Sequence, residues 1–353
     1  MLHKESSKTT LPAFWKGDVY HVLDQLLLPE SVKYIPCKTP EDVMNAIVNM
    51  NLRGAPLIGA AGSAAAALYF KESKKSTSFD NLLKKLIETR PTAVNLKNVL
   101  DEVKKLYKSS LNLQQTELFD IFKKFSKIIH ERDNDRNIKM GENGALFLKT
   151  FFKGKKLNVL THCNAGALAT CGYGTALGVI RSLHKVGLIE HVWVDETRPY
   201  LQGARLTAYE MDLENIPHTV ITDSTSAWLM HEGKVDVVIT GADRVAMNGD
   251  FANKIGTYSL AVNAFYHKLP LVVALPLETF DRNMADGSSI VIEERSDREL
   301  LVFNGKRIAP KNSSGLHLGF DIVPASLLTA IVTEKRVLEK PLTEKAIAGL
   351  FND

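Results

Sequence analysis

The stretch LNVLTHCNAG, residues 157–166, joins a short apolar run directly to a polar, glycine-containing segment. An apolar run of this length predicts a buried strand, and the polar residues after it predict a loop at the carboxyl end of that strand. Four further runs of this kind lie at residues 191–194, 219–222, 235–240 and 271–275, with helical periodicity between them. Strands that alternate with helices predict an α/β fold, in which helices cover both faces of a parallel sheet.

Residues up to about 150 have a different pattern, with apolar residues at the three- and four-residue spacing of amphipathic helices. The helices predicted in this part cover residues 40–50, 58–70, 91–108 and 117–132. The helices predicted between the strands cover residues 173–183, 206–212, 224–230 and 255–267. We therefore predict two domains, a mainly helical one over residues 1–150 and an α/β one over residues 151–353.

The composition argues against several classes of protein. Lysines and arginines number 44 against 40 aspartates and glutamates, and a surplus of +4 is too small to indicate nucleic-acid binding. Three cysteines without a CxxC pair, and no histidine cluster at metal-ligand spacing, predict neither disulfides nor a bound metal and favour a reducing compartment. No stretch approaches the roughly 20 apolar residues that span a membrane, and the N-terminus lacks a signal-peptide pattern. We expect a cytoplasmic protein.

Chemistry-bearing residues follow the predicted strands at their carboxyl ends, where ligands bind in open α/β sheets. Cys163 follows the first strand and precedes a glycine-rich loop over residues 165–174. Acidic residues follow the next three strands: Asp195, Asp223 and Asp243. Helix capping explains any one of them as well, and this is our interpretation of Asp223. Together, however, they predict a site at this edge of the sheet.

Cys163 and Asp243 each have two interpretations. A free cysteine is usually buried and inert, as we interpret Cys171, but exposed amides in the loop after Cys163 would bind an anion and lower the pKa of the thiol. Asp243 either forms an ion pair with Arg244 or, partly removed from water, has a raised pKa and acts as a general acid. The residues alone leave both questions open.

Arginine precedes a proline-containing helix start at two positions in the first domain. Arg53 lies before the sequence GAP, and Arg90 lies directly before Pro91. Proline is favoured in the first helical turn, where a cation alone is unfavourable beside the positive end of the helix dipole. A phosphate between the arginine and the helix amides would explain this placement, and a solvent-facing arginine is the alternative. Lys254, just before another predicted helix, is a third candidate.

A dinucleotide-binding enzyme is an alternative on pattern alone. The segment from Gly172 to Gly178 has the spacing GxGxxxG, and Asp195 follows about 20 residues later. The dinucleotide fingerprint is GxGxxG directly after a strand, whereas about nine residues separate the predicted strand from Gly172. The match is therefore weak.

A set of motifs, in order along nearly the whole chain, resembles a single family. The motifs are RGAP at 53–56, RPTAVN at 90–95, THCNAG at 161–166, DETRP at 195–199, QGAR at 202–205, GADR at 241–244, NGD at 248–250 and NKIGT at 253–257. On these residues the chain resembles the methylthioribose-1-phosphate isomerases.

The resemblance implies a mainly helical N-terminal domain, a Rossmann-like C-terminal domain and a homodimer. It also implies an isomerase that needs no cofactor and converts 5-methylthioribose 1-phosphate to 5-methylthioribulose 1-phosphate, an aldose–ketose isomerisation in methionine salvage. Carried over residue by residue, it assigns Cys163 and Asp243 to the chemistry. The implied substrate contacts are Arg53, Gly54, Ala55, Arg90, Gln202, Asn253 and Lys254.

The wider family offers three alternatives. Two are the ribose-1,5-bisphosphate isomerases and the non-enzymatic regulatory subunits of the translation-initiation guanine-nucleotide exchange factor. Those subunits generally lack the cysteine–aspartate pair, so Cys163 and Asp243 favour an enzyme. The third is a 5-deoxyribose 1-phosphate isomerase, because the chain has HLGFD at 317–321 where the family usually has NPAFD. If that segment approaches the 5-position of the sugar, we expect a substituent other than methylthio at that position.

The implied substrate determines the order of the chemistry. Phosphate on O1 locks the sugar as a ring with no free aldehyde, so the ring must open before isomerisation. We assign to Asp243 the donation of a proton to the ring oxygen. Cys163 is then the partner when hydrogen moves from C2 to C1, either through an enediol-like species or as a hydride.

Overall fold

The computed structural model describes residues 10–71, 77–90, 94–303 and 305–352. The first half of the chain forms a small antiparallel sheet followed by a group of helices. Its elements are β1 (Ala13–Lys16), β2 (Val19–Leu23), β3 (Tyr34–Cys37), α1 (Pro40–Val48), α2 (Ala55–Lys71), α3 (Phe79–Thr89), α4 (Val94–Ser109) and α5 (Gln115–Phe151).

Helix α2 lies at the centre of the first half. It packs against α4 and α5, and every side chain from Leu57 to Phe70 is buried. A helix that is apolar all round is typical of a buried position, and the small alanine side chains let the neighbouring helices approach closely.

The second half alternates strands with helices. In chain order its elements are β4 (Leu157–Thr161), α6 (Ala176–Lys185), β5 (Ile189–Asp195), α7 (Ala208–Leu213), β6 (His218–Ile221), α8 (Thr225–His231), β7 (Val237–Thr240), β8 (Arg244–Val245), β9 (Phe251–Lys254), α9 (Thr257–Tyr266), β10 (Leu271–Ala274), β11 (Glu294–Arg295), α10 (Arg298–Leu301), β12 (Val302–Phe303), β13 (Lys306–Arg307), β14 (His317–Leu318), β15 (Phe320–Val323), β16 (Ala330–Val332), β17 (Val337–Glu339) and α11 (Glu344–Ala348).

The main sheet has the strand order β6-β5-β4-β7-β10-β16-β17. Every neighbouring pair is parallel except β16 with β17. The chain enters at β4, moves outward through β5 and β6, and then returns to β7 on the other side of β4. The strand order therefore reverses between β4 and β7, and the ligand-binding crevice of such a sheet lies at the carboxyl ends of these two strands.

The predicted α/β fold class is confirmed, and each predicted strand matches a strand of the main sheet. The pattern missed the antiparallel edge strand β17, its neighbour β16, helix α3 and the small sheets. The helix predicted over residues 117–132 is wrong in its extent, because α5 continues to Phe151. The predicted helix start at Pro91 lies outside the described residues, and α4 is described from Val94.

Helix α5 takes part in two hydrophobic cores. Phe122 and Ile129 belong to the core of the first half, whereas Met140 and Leu148 belong to the core beside the main sheet. The sequence ERDNDRN at 131–137 interrupts the apolar pattern between them, although the helix continues. Nowhere in the described ranges is a helix both long and apolar enough to cross a membrane.

Candidate active site

The reversal of strand order brings Cys163 and Asp243 into one pocket. Cys163 lies two residues beyond β4 and Asp243 three residues beyond β7, and these strands are neighbours in the sheet. The pocket is open on one side, and the empty space within it and at its mouth amounts to about 770 Å³.

Every residue that the sequence predicted to contact the substrate or act on it lines this pocket. The first half of the chain contributes Arg53, Gly54, Ala55 and Arg90, and the second half contributes Cys163, Gln202, Asp243, Asn253 and Lys254. The structure thus brings together residues from both halves of the chain. What each of them does remains a prediction.

The backbone of Cys163 adopts a left-handed conformation, with φ of 62°. This conformation is uncommon for a residue with a side chain and costs on the order of 1–3 kcal/mol. Two threonines hold it: the Cys163 amide donates to Thr197 Oγ1 (2.8 Å), and the Cys163 carbonyl oxygen accepts from Thr207 Oγ1 (2.6 Å). Strain that the surroundings maintain in this way is typical of functional positions.

The carboxyl of Asp243 and the thiol of Cys163 are both shielded from water. Burial raises the pKa of Asp243, although Lys254, Arg90 and Arg53 oppose the shift, and this direction agrees with the expectation for a general acid. Burial also raises the pKa of the Cys163 thiol, against the charges of Arg53 and Lys254. The expectation of a lowered thiol pKa is therefore wrong, because the loss of water outweighs the nearby cations.

A buried hydrogen-bond network connects Arg53 to the loop after Cys163. The Arg53 guanidinium donates to the Asn164 carbonyl oxygen (3.1 Å) and to the Asn164 side chain. The side-chain amide of Asn164 donates to Glu210 Oε1 (2.8 Å), and Glu210 also accepts from two loop amides and from Arg181. Arg53 is therefore a buried residue of the pocket and not a solvent-facing one.

The start of helix α2 offers amides for an anion. The helix begins at Ala55, so its first N–H groups have no acceptor within the helix. Gly54 has φ of 95°, and a Cβ there would lie 2.2 Å from the carbonyl oxygen of Ala169. Only glycine allows this helix start to pack so closely against the loop that follows Cys163.

Three buried polar atoms at the pocket have no hydrogen-bond partner in the described part of the chain. They are Nε of Arg53, Nε of Arg90 and Oε1 of Gln202. Leaving a buried polar group unpaired costs about 1–3 kcal/mol, so such groups need a reason. A ligand with several oxygen atoms would supply the missing partners.

Lys254 and Asn253, at the end of β9, are almost fully buried. Lys254 Nζ donates to the Gly319 carbonyl oxygen (2.8 Å) and lies 4.6 Å from the centre of the Phe320 ring. Burial lowers the pKa of Lys254, and the nearby Cys163 and Asp243 oppose this shift. The ammonium group is therefore fixed in a poorly solvated position beside the two predicted catalytic groups.

The segment that departs from the family pattern, HLGFD at 317–321, lies beside the pocket. Phe320 lines the pocket, and the Gly319 carbonyl oxygen accepts from Lys254. The His317 ring instead bonds the carbonyl oxygen of Ser296 (3.4 Å). The differing residues thus reach the pocket through the backbone of Gly319 and not through the His317 side chain.

The acidic residues after β5 and β6 do not line the pocket. Asp195 lies behind it, bonded to His162 (2.9 Å) and to Ser226. Because these bonds engage Asp195, it is not free to bind the ribose of a dinucleotide. Asp223 accepts from the amides of residues 197 and 198 (both 2.7 Å), so our interpretation of Asp223 as a helix cap is wrong.

One group of possible metal ligands occurs among the described residues. The ligand atoms of His162, Asp195 and Asp223 lie within 4.8 Å of one another. Both ring nitrogens of His162 and all four carboxylate oxygens already have protein hydrogen-bond partners. These bonds explain the group without a metal, and a metal-free site remains our prediction.

Sequence reasoning did not select His162, Asn164, Arg295 and Phe320, which also line the pocket. His162 and Asn164 flank Cys163 at the end of a strand, and this position could have identified them as pocket residues. Phe320 reaches the pocket because β15 pairs with β9, and Arg295 lies in β11, which pairs with β14. Local sequence patterns do not reveal pairings between such distant segments.

The fold and the pocket define an α/β protein in which one pocket brings a carboxyl and a thiol together with three cationic side chains. Comparison with known proteins agrees. Residues 51–340 match the model of the initiation factor 2 subunit family. A curated methylthioribose-1-phosphate isomerase from Caldicellulosiruptor saccharolyticus is 47% identical over 334 residues, which are 94% of this chain and 96% of that protein.

Two solved structures match over nearly the whole chain. The 5-methylthioribose 1-phosphate isomerase from Pyrococcus horikoshii OT3 has a TM-score of 0.89 and 38% identity, and the match covers 99% of this chain and 98% of that chain. The translation initiation factor eIF-2B subunit delta from A. fulgidus has a TM-score of 0.82 and 36% identity, covering 97% and 100%. The chain belongs to the initiation factor 2 subunit family, and its predicted resemblance to the methylthioribose-1-phosphate isomerases is confirmed.

Proposed function

We propose that this protein is an aldose–ketose isomerase that converts 5-methylthioribose 1-phosphate to 5-methylthioribulose 1-phosphate in methionine salvage. One observation carries the proposal: Cys163 and Asp243 share a single pocket with the cations Arg53, Arg90 and Lys254. A pair of groups suited to proton transfer therefore lies within a site suited to a phosphate. Relatives that match this chain along its length bear the name of this enzyme.

Phosphate binding is the role we propose for the start of α2 and the cations around it. The free amides of the first helical turn, together with Arg90 and Lys254, supply charge-assisted hydrogen bonds to phosphate oxygens. Gly54 and Ala55 contribute through the backbone. Asn253 and Gln202 are uncharged donors and acceptors suited to the sugar hydroxyls.

The chemistry we propose begins with ring opening. Asp243 donates its proton to the ring oxygen O4 as the C1–O4 bond breaks, because its raised pKa keeps the proton available. Hydrogen then moves from C2 to C1, and the C2 hydroxyl passes its proton to the Asp243 carboxylate as the C2 carbonyl forms, so Asp243 regains the proton that it gave to O4. Cys163 is the partner in this second step. The scheme uses protein side chains alone and needs no cofactor.

Arg90 offers a test of phosphate binding that leaves the architecture intact. Arg53 is less suitable, because its guanidinium also holds Asn164. Arg90→Ala removes a charge-assisted contact, so we expect KM to rise about 10- to 100-fold with a smaller change in kcat. Steady-state kinetics measure both, with the exposed Arg307→Ala as the control that leaves KM unchanged. Methylthioribose without its phosphate should be a poor substrate, and equal activity on it would refute a phosphate site here.

A side pocket with both apolar and charged residues adjoins Asp243 and offers room for the 5-substituent of the sugar. Its apolar lining includes Ile58, Ile290, Val291 and Phe320, and Arg90 and Arg244 line it as well. A methylthio group buries more apolar surface there than a methyl group does. This pocket supports the methylthio sugar over the 5-deoxy alternative.

A comparison of three substrates tests the proposed function directly. We expect turnover of both 5-methylthioribose 1-phosphate and 5-deoxyribose 1-phosphate, with the methylthio compound preferred by about 1–3 kcal/mol in kcat/KM, because apolar pockets separate neighbours only to this extent. Ribose 1,5-bisphosphate is the third substrate, because Arg90 and Arg244 also line the side pocket. A clear preference for the 5-deoxy sugar would change the substrate and keep the reaction class.

A regulatory role in translation initiation is the second candidate function, because the A. fulgidus eIF-2B structure also matches this chain closely. The presence of Cys163 and Asp243 in one pocket favours the enzyme. Failure to convert any of the three sugar phosphates, together with recovery of nucleotide-exchange partners in a pull-down, would favour the regulatory role.

We further propose a cytoplasmic homodimer that binds neither nucleic acid nor membranes. Helices α8 and α9 expose large apolar side chains, with Trp228 60%, Phe265 61% and Tyr266 78% accessible, and such patches mark interaction sites. Light scattering should give twice the 39.1 kDa mass of the chain. We also propose two domains over residues 1–150 and 151–353, of which the first supplies Arg53 and Arg90 and the second the catalytic pair.

A further inference from the structure

A buried chain of hydrogen bonds runs behind the pocket from Ser226 to the backbone of Ile255. Ser226 Oγ donates to Asp195 Oδ1, and Asp195 Oδ2 lies 2.9 Å from His162 Nδ1. At its other end, His162 Nε2 lies 2.9 Å from the Ile255 carbonyl oxygen. The His162 ring is 1% exposed, so water does not replace these partners.

The partners of His162 determine its protons. A carbonyl oxygen only accepts, so Nε2 carries a proton that it donates to Ile255. The bond between Nδ1 and the Asp195 carboxyl requires a second proton between those two atoms. Burial alone would lower the pKa of His162, but the hydrogen bond and charge of Asp195 outweigh it and raise the pKa above its usual value. The ring is thus held in one orientation with both nitrogens engaged.

His162 connects two segments that carry predicted site residues. It directly precedes Cys163, and its acceptor Ile255 directly follows Lys254. The ring also packs on Gly256, where φ is 106° and a Cβ would lie 2.8 Å from His162 Cε1. The segment from Asn253 to Gly256 therefore has the His162 ring as a direct support on this side.

We propose that His162 is a positioning residue that holds Lys254 and Asn253 in place relative to Cys163 through its bond to the Ile255 carbonyl. The imidazole does not exchange protons with the substrate. Its role in turnover rests on the proposed function, whereas its hold on residues 253–256 does not. A displacement of about 1 Å in a substrate-positioning group can reduce the rate about 10²-fold, so a distant hydrogen bond of this kind has a measurable effect.

A pair of variants separates this role from general packing. In H162Q the side-chain amide still reaches Ile255, but its oxygen then faces the Asp195 carboxylate, and two acceptors repel. In H162Q/D195N the new amide at 195 donates to that oxygen while its own oxygen accepts from Ser226, so the chain of bonds is rebuilt without charge. The control is H130Q, because His130 is partly buried and bonds Tyr20 (3.0 Å), away from the pocket.

Amide hydrogen exchange and kinetics provide the two measurements. We expect H162Q to speed exchange in the peptide that covers residues 253–260 about tenfold or more and to lower kcat/KM about 10²-fold. The double variant should recover most of the slow exchange and most of kcat/KM. H130Q should change neither the exchange rate of this peptide nor kcat/KM. Unchanged exchange in H162Q, or a double variant as impaired as H162Q, would overturn the proposal. If the wild-type protein fails to convert the sugar phosphate while the three variants show the expected exchange rates, that result would refute the proposed function and support the positioning role.

If H162Q fails to fold, the state of the His162 ring in the wild-type protein tests the proposal instead. In histidine-labelled protein, nitrogen NMR should show His162 with its Nε2 protonated and that proton hydrogen-bonded at neutral pH. A neutral ring with an exchangeable, unbonded Nε2 proton would refute the bond to Ile255 and the proposal with it.

Discussion

Asp243→Asn should reduce kcat to near background, about 10⁴-fold, while substrate still binds. Burial raises the pKa of this carboxyl and so favours its uncharged form. The amide has the same shape and no charge, so the variant should leave KM and the calorimetric affinity nearly unchanged. An amide cannot release a proton to the ring oxygen, and this single loss stops ring opening.

The pH profile provides a second measurement for Asp243. A general acid must hold its proton, and a raised pKa extends the active range to higher pH than an ordinary aspartate would allow. We expect kcat/KM of the wild-type protein to fall on the alkaline side as this proton is lost, and the residual activity of Asp243→Asn to lack that limb. The exposed Asp101→Asn is the matched control. Loss of binding together with turnover would indicate a structural role for Asp243 instead.

Cys163→Ser should reduce kcat about 10²- to 10⁴-fold without unfolding the protein. Serine fits the left-handed turn, and the two threonine bonds to the backbone of Cys163 do not involve the side chain. The hydroxyl is a much weaker acid than the thiol and a poorer partner when hydrogen moves between C2 and C1. Circular dichroism and thermal melting should show a normal fold.

Cys171→Ser is the control for this substitution. Cys171 is also buried, but it belongs to the core of the first half and does not line the pocket. It should cost some stability and little activity. Near-normal turnover by Cys163→Ser would remove the thiol from the mechanism, whatever the control shows.

Five of the seven strands of the main sheet could be predicted because each is a short apolar run between polar segments. Position at the end of a strand then pointed to Cys163 and Asp243, since parallel strands present their carboxyl ends at one edge. The same rule also selected Asp195 and Asp223, which do not line the pocket. Whether a strand-end carboxylate faces the crevice or the interior depends on neighbouring loops, and the local pattern does not contain that information.

The remaining differences between prediction and structure arise from contacts and burial that a local sequence pattern does not reveal. Asp223 is held by amides of residues 197 and 198, and Lys254 is fixed by Gly319, about 65 residues later. The lowered pKa expected for Cys163 considered the loop amides but not the burial of the thiol, which outweighs the charges of Arg53 and Lys254. Helix α5 was cut short because polar residues at 131–137 interrupt its apolar pattern, although Asn137 is buried and Asp133 accepts from the Cys171 amide.

The 37 residues of α5 extend about 55 Å as one uninterrupted helix. Because its two ends pack in different cores, one continuous helical backbone joins the two cores. We therefore expect the two halves of the chain to unfold cooperatively, so that damage to the packing of either half lowers a shared melting temperature.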